Sequence, residues 1–232
     1  MRTSEFDSSD EETEEEYQLP VQVTWLPLSM VNSTQFLGIC ALPGCKFKDV
    51  RRNLQKDIEA LWRHSIQDVF VFCTKGEMGK YRVPGLLESY QQQGFTVHHY
   101  PFPDGNVPDI SSCSKILEEL RICLENDKKT LIHKIASVFS TLVEAEAASE
   151  KAVLSTTVFL FSLNFSLIVA ACLLLQLSDA MFPEQAIDLL RELRGAGAIQ
   201  TVKQYNYLHD FRENMANYLA TKEDSATRSV SR

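Results

Sequence analysis

A chain of 232 residues, 44% of them hydrophobic, is long enough to bury one substantial core. Its net charge is −8, and residues 1–17 carry most of it, with eight acids (Glu5, Asp7, Asp10, Glu11, Glu12, Glu14, Glu15, Glu16) against Arg2. The near-neutral remainder argues against general nucleic-acid binding. The six dispersed cysteines read as reduced intracellular thiols, not a disulfide frame.

Residues 1–18 are an acidic, solvated tail by composition, unlike a signal peptide or a mitochondrial presequence. Ser8 and Ser9 precede Asp10-Glu11-Glu12 and suit acid-directed phosphorylation. Residues 19–219 form the folded domain, and 220–232 a flexible polar tail. Gln18 to Val23 is a candidate edge strand, and the apolar run Phe36 to Ala41 another strand ahead of the Pro43-Gly44 turn. Asp49 to His64 places Val50, Leu54, Ile58, Leu61 and Trp62 at helical spacing, with Asp49 as a plausible N-cap. Asp68 to Cys73 has too few polar positions for a half-exposed strand and suits the middle of a parallel sheet.

Thr74 to Gly79 reads as a polar loop, Gly85 to Gln93 as a helix ended by Gly94, and Phe95 to Tyr100 as a strand. A loop at Pro101–Pro108 leads to a helix at Asp109–Asn126 and a buried strand, Thr130 to His133. Leu167 to Leu177 is an apolar helix, Pro183 to Arg194 a helix with Pro in its first turn and Gly195 past its end, and Thr201 to Leu219 the last helix. Strands alternating with helices predict an α/β fold, a mostly parallel sheet flanked by helices.

Several runs together resemble one family. They are SEFDSSDEE (4–12), QFLGICALPGCKFKDVRRN (35–53), IQDVFVFCTKGE (66–77), KYRVPGLLESYQQ (80–92), TLIH (130–133), LIVAACLLL (167–175) and PEQAIDLLRELRGAGAIQTVKQYNYLHDFR (183–212). These are similar to the kinase-associated, cyclin-dependent kinase inhibitor 3 family of dual-specificity protein phosphatases. The resemblance implies a cysteine-phosphatase-like fold. It also implies removal of phosphate from serine, threonine and tyrosine, a cyclin-dependent kinase as partner, a role in cell-cycle control, and a cytoplasmic, perinuclear location.

The family's loop has the form His-Cys-x5-Arg. A thiolate attacks phosphorus, so its pKa must be depressed by loop amides, a helix N-terminus and the arginine. The same groups hold the phosphoryl oxygens, and a separate acid protonates the leaving oxygen. This chain keeps His133, but Lys134 follows where the family has its cysteine, and Phe165 aligns with the family's arginine. Between them, residues 134–165 are foreign to the family, about four times its loop length, and contain neither Cys nor Arg. The segment reads as an in-frame replacement from an alternative exon or retained intron. The expected outcome is a catalytically impaired or inactive protein, or a non-catalytic kinase-binding protein on the same scaffold.

Asp104, in PFPDGNVPD, matches the family's general acid by resemblance; on its own chemistry it is a turn aspartate before Gly105. Asp109 fits a helix cap better. Gln200 resembles the glutamine that positions water or substrate in related phosphatases, and is otherwise an ordinary loop residue. His133 would orient a thiolate in the family; here it reads as a partly buried strand-end histidine. Cys45 to Arg51 matches C-x5-R by chance, lacking glycines and carrying Asp49. Cys172 lies mid-helix in apolar sequence and reads as inert. The cysteines and His98-His99 show no paired zinc spacing, so neither a metal nor another cofactor is expected.

Ala152 to Leu177 is uncharged and by length could span a bilayer. Seven polar residues dilute it, however, and its second half matches the family's buried helix, so a membrane span is not expected. Ser140 to Lys151 has good helix formers. The added apolar stretch Val153–Leu163 finds no place on a completed sheet, so poor order, a tendency to aggregate and reduced stability are expected there.

Overall fold

The computed structural model describes residues 20–47, 50–102, 107–134, 164–195, 198–199 and 201–230. Strands β1 (Val23–Leu26), β2 (Leu37–Cys40), β5 (Asp68–Val71), β6 (Thr96–His99) and β7 (Thr130–His133) form one sheet in the order β1-β2-β7-β5-β6. Only β1 runs antiparallel, pairing Val23 with Cys40 and Leu26 with Leu37. The other pairs are parallel, with β7 at the centre between β2 and β5. A two-stranded ladder, β3 (Lys46–Phe47) and β4 (Val50–Arg51), stands apart.

Every residue of β2, β5 and β7 is buried, the signature of parallel strands covered on both faces. Successive side chains point to opposite faces, so each strand feeds two cores. Leu37, Ile39, Phe70 and Ile132 pack under α4 (Ile110–Glu125), α5 (Asn164–Leu177), α6 (Pro183–Arg194), α7 (Val202–His209) and α8 (Phe211–Val230). Val69, Val71 and Leu131 pack on the other side under α1 (Leu54–Arg63), α2 (Lys75–Lys80) and α3 (Leu86–Gln92). Gly38 is required by close approach: a Cβ there would lie 2.6 Å from Val23 Cγ1 and 3.1 Å from Leu131 Cδ1.

Helix α5 explains why its sequence has no polar face. Nine consecutive residues, Leu167 to Leu175, are buried, because α4, α6, α7 and α8 all contact it. Its C-terminal carbonyls are capped from a distance. The Arg212 guanidinium donates to the carbonyls of Leu175, Ser178 and Met181 at 2.7–2.9 Å, satisfying groups a helix end leaves open. Among the described residues no helix is long and apolar enough to cross a membrane. Residues 1–19, 135–163 and 231–232 lie outside the described residues, as do the expectations for the acidic tail, Ser140–Lys151 and Val153–Leu163.

Four expectations are corrected. The edge strand is Val23–Leu26, not Gln18–Val23; it starts where its residues meet β2. The first helix begins at Leu54: Val50 and Arg51 pair with Phe47 and Lys46, and the Asn53 side chain, not Asp49, accepts the Lys56 N–H. Residues 75–80 are helical, not a loop. Thr74 and Glu77 form a capping box, the Thr74 hydroxyl accepting from Glu77 N–H and the Glu77 carboxylate from Thr74 N–H. The final helix is two, divided at Asp210, and the second runs to Val230 through residues expected to form a tail. The division lets Phe211 be buried while Arg212 reaches the end of α5.

Candidate active site

In a parallel α/β sheet, ligands meet the chain beyond the carboxyl ends of the strands. Here that rim is formed by the ends of β2, β7, β5 and β6, followed by Ala41, Lys134, Cys73 and Phe102. The loops are tied to the sheet edge by backbone bonds from Phe72 N–H to the His133 carbonyl and from Phe102 N–H to the Phe72 carbonyl. His99 Nε2 bonds the Cys73 carbonyl at 2.8 Å.

His133 stands at the end of the central strand and is fully buried, where only partial burial was expected. Its Nε2 lies 2.9 Å from the Tyr90 hydroxyl, while buried Nδ1 makes no hydrogen bond. Burial drives its pKa from 6.5 to about 3, so the imidazole is neutral at physiological pH.

Lys134 occupies the next position and is 2% exposed. Its ammonium donates to the Phe102 carbonyl at 2.7 Å and sits 3.6 Å from the Glu77 carboxylate, the same carboxylate that caps α2. It also lies 5.7 Å from the centre of the Phe165 ring, within cation–π reach. Phe165, in the first turn of α5, is buried and stacks on Phe102 at 4.2 Å and edge-on to Phe72 at 5.0 Å. Among the described residues, a paired ammonium and three aromatic rings thus stand together between β7 and α5.

Chemically, this arrangement holds no nucleophile of the expected kind. All six cysteines are buried. Burial pushes the Cys40 thiol up to about 12 and Cys45 up to about 11, and pushes Cys172 well above the ordinary thiol range. Those three buried, protonated thiols are poor attacking groups, and Cys113, whose pKa is lowered by its hydrogen bond with Cys172, is fully buried in α4. The Cys45–Arg51 match has no cradle, since Arg51 lies in the β3–β4 ladder and its guanidinium bonds the Val50 carbonyl. Asp109 caps α4 through the Ser112 N–H, and hydrogen bonds from Ser112 hold its carboxylate below the usual range. Asp104 and Gln200 lie outside the described residues.

Sequence reading missed the partners of Lys134. The capping-box spacing Thr74-x-x-Glu77 was the available signal for the helix that delivers Glu77, but nothing local ties Glu77 to Lys134. The described residues also bring Asp68, His98 and Cys123 together, at the opposite end of β5. No linear spacing announces that trio, because it joins two strands and a helix.

The family model for Cyclin-dependent kinase inhibitor 3 matches residues 1–158. Cyclin-dependent kinase inhibitor 3 of Sus scrofa is 58% identical over 232 residues, covering all of this chain and 97% of the relative, and that of Homo sapiens is 56% identical over the same span. Among solved structures, kinase associated phosphatase with its catalytic site cysteine substituted by serine is 56% identical. It superposes with a TM-score of 0.73, covering 86% of this chain and 98% of that one. Tk-PTP in its active form shares the fold at 20% identity, with a TM-score of 0.53 over 76% of this chain and 91% of that one. The sheet, the flanking helices and these matches agree: the chain belongs to the cyclin-dependent kinase inhibitor 3 family, on a cysteine-phosphatase-like fold.

Proposed function

We propose that this chain is a kinase-directed member of its family that has lost turnover. It retains the scaffold of a dual-specificity phosphatase acting on phosphoserine, phosphothreonine and phosphotyrosine, and it engages a cyclin-dependent kinase in cell-cycle control without removing phosphate. The observation that carries this reading is Lys134, which follows His133 where the family has its cysteine and whose ammonium is buried against Glu77 and the Phe102 carbonyl. An ammonium already paired with a carboxylate supplies neither a sulfur nucleophile nor the arginine fork that holds three phosphoryl oxygens. Losing nucleophile and cradle together removes most of the machinery, not one contribution among many.

The solved relative with serine for its catalytic cysteine supports the other half of the reading, because its fold does not depend on that thiol. The names of the relatives supply the partner class, a cyclin-dependent kinase. The protein acts in the cytoplasm, concentrated around the nucleus, which fluorescence microscopy of the tagged full chain tests. The segment 134–165 arises by alternative splicing, which long-read transcripts across codons 130–170 test.

The functional experiment has two arms. The full chain is incubated with a small aryl phosphate and with a phosphorylated cyclin-dependent kinase, and its binding to that kinase is measured by calorimetry. Binding without phosphate release is the expected result. Turnover that alkylation abolishes would restore the enzyme reading, and loss of binding would remove the kinase.

A further inference from the structure

The far end of the sheet from Lys134 holds a polar cluster that the proposed function does not use. Asp68 opens β5, His98 comes from β6, and Cys123 and Glu119 come from one face of α4. Asp68 and Cys123 are buried, and the His98 ring stacks on Phe70 at 4.2 Å, which fixes its plane. His98 Nε2 lies 2.9 Å from Asp68 Oδ1, Cys123 Sγ lies 3.5 Å from the same oxygen, and Sγ and Nε2 are 3.9 Å apart.

We propose that Asp68, His98 and Cys123 form a binding site for a divalent transition-metal cation, zinc above all. The three donor atoms define a circle whose centre is about 2.0 Å from each, the length of zinc–nitrogen and zinc–oxygen bonds and only slightly short of a zinc–sulfur bond. Borderline nitrogen, sulfur and carboxylate donors suit zinc and disfavour magnesium or calcium, which take oxygen.

A further observation points the same way. His98 Nδ1 bonds Glu119 Oε2 at 2.8 Å, the carboxylate–histidine pairing that turns the other ring nitrogen outward as a ligand. Asp68 Oδ2 is buried and ion-paired with the Lys128 ammonium at 3.2 Å, which also donates to Oδ1 at 3.4 Å.

Lys128 is the resident competitor. Its side chain is 38% exposed and lies with Asp68 in the wall of an open cleft of about 340 Å³, so the ammonium can swing into solvent as the metal enters. Binding replaces the Cys123 S–H bond with a metal–sulfur bond and releases that proton to water. The cleft supplies water for a fourth coordination position.

The test uses the full chain after chelation and desalting, titrated with Co²⁺ and then Zn²⁺. One Co²⁺ per chain is expected to produce a near-ultraviolet thiolate charge-transfer band and visible tetrahedral bands, both displaced by Zn²⁺. Cys123→Ser and His98→Gln abolish the near-ultraviolet band, whereas Cys45→Ser leaves it intact. Because those two variants alter buried positions, Lys128→Ala provides an independent reading in a chain that keeps all three ligands. It should tighten Co²⁺ binding about fivefold or more by removing the competing charge. A chain that gives no charge-transfer band, a band that survives Cys123→Ser, or a Lys128→Ala variant that binds no more tightly overturns the site.

Discussion

The strand β7 and the helix α5 stand on either side of residues 134–163, and they have fared differently from what lies between. Their own residues, Thr130 to His133 and Leu167 to Leu175, are buried to the last side chain and keep the family's sequence. At their facing ends stand Lys134 and Phe165, the positions that the resemblance aligns with the family's cysteine and arginine. The fold is fixed by many apolar contacts spread over two cores, none of which involves the missing pair. The chemistry required a few polar groups in one loop. Fold alone therefore does not establish activity.

The largest expected effect comes from undoing the difference. Replacing residues 134–165 with the Cys- and Arg-containing loop of a relative should raise aryl-phosphate turnover on the order of 10⁴-fold or more, measured as released phosphate. A graft that folds, by circular dichroism, and stays inactive would mean that the scaffold has drifted as well as the loop. On the scaffold side, Leu174→Ala removes a fully buried side chain of α5 and should cost roughly 2–5 kcal/mol in urea unfolding. A loss below about 1 kcal/mol would place α5 outside the cooperative core.

Smaller effects probe the rim. Glu77→Gln preserves the side-chain acceptor that caps α2 but withdraws the charge facing Lys134. It should destabilise the protein by about 1–3 kcal/mol, the cost of a less compensated buried charge. Lys134→Met in the same background should recover part of that loss, and independence of the two substitutions would dissolve the pair.

The pH response of His133 is gentler near neutrality. Its folded pKa, about 3, is below the ordinary 6.5, so the unfolded chain takes up a proton that the folded chain refuses. The contribution is fully present above pH 6.5 and is lost as pH falls toward 3, with a slope of at most about 1.4 kcal/mol per pH unit. His133→Gln should flatten the urea midpoint over that window; an unchanged slope would assign the acid sensitivity elsewhere.

Much of the scaffold was legible because the signals were local. The doubly buried strands at Asp68 and Thr130 read as unbroken apolar runs, and Asp109 read as the cap of α4. Pro183 and Gly195 bracketed α6. The helix at Lys75–Lys80 was hidden by two glycines, although Thr74 and Glu77 had the spacing to announce it. Asp49 looked like a cap until the β3–β4 ladder moved the helix start to Leu54. At the site, the order of residues alone places Lys134 after His133 and leaves residues 134–165 without Cys or Arg. The pairing of Lys134 with Glu77, and the meeting of Asp68, His98 and Cys123, depend on strand order and helix placement, which no local pattern encodes.

The central claim is that no thiol in this chain serves as a phosphoryl acceptor. The direct test is to mix the full chain with ³²P-labelled phosphoprotein substrate, quench in acid within milliseconds to seconds, and map label on cysteine peptides. The account predicts no cysteine-bound phosphate at any of the six thiols; label on even one of them would contradict it.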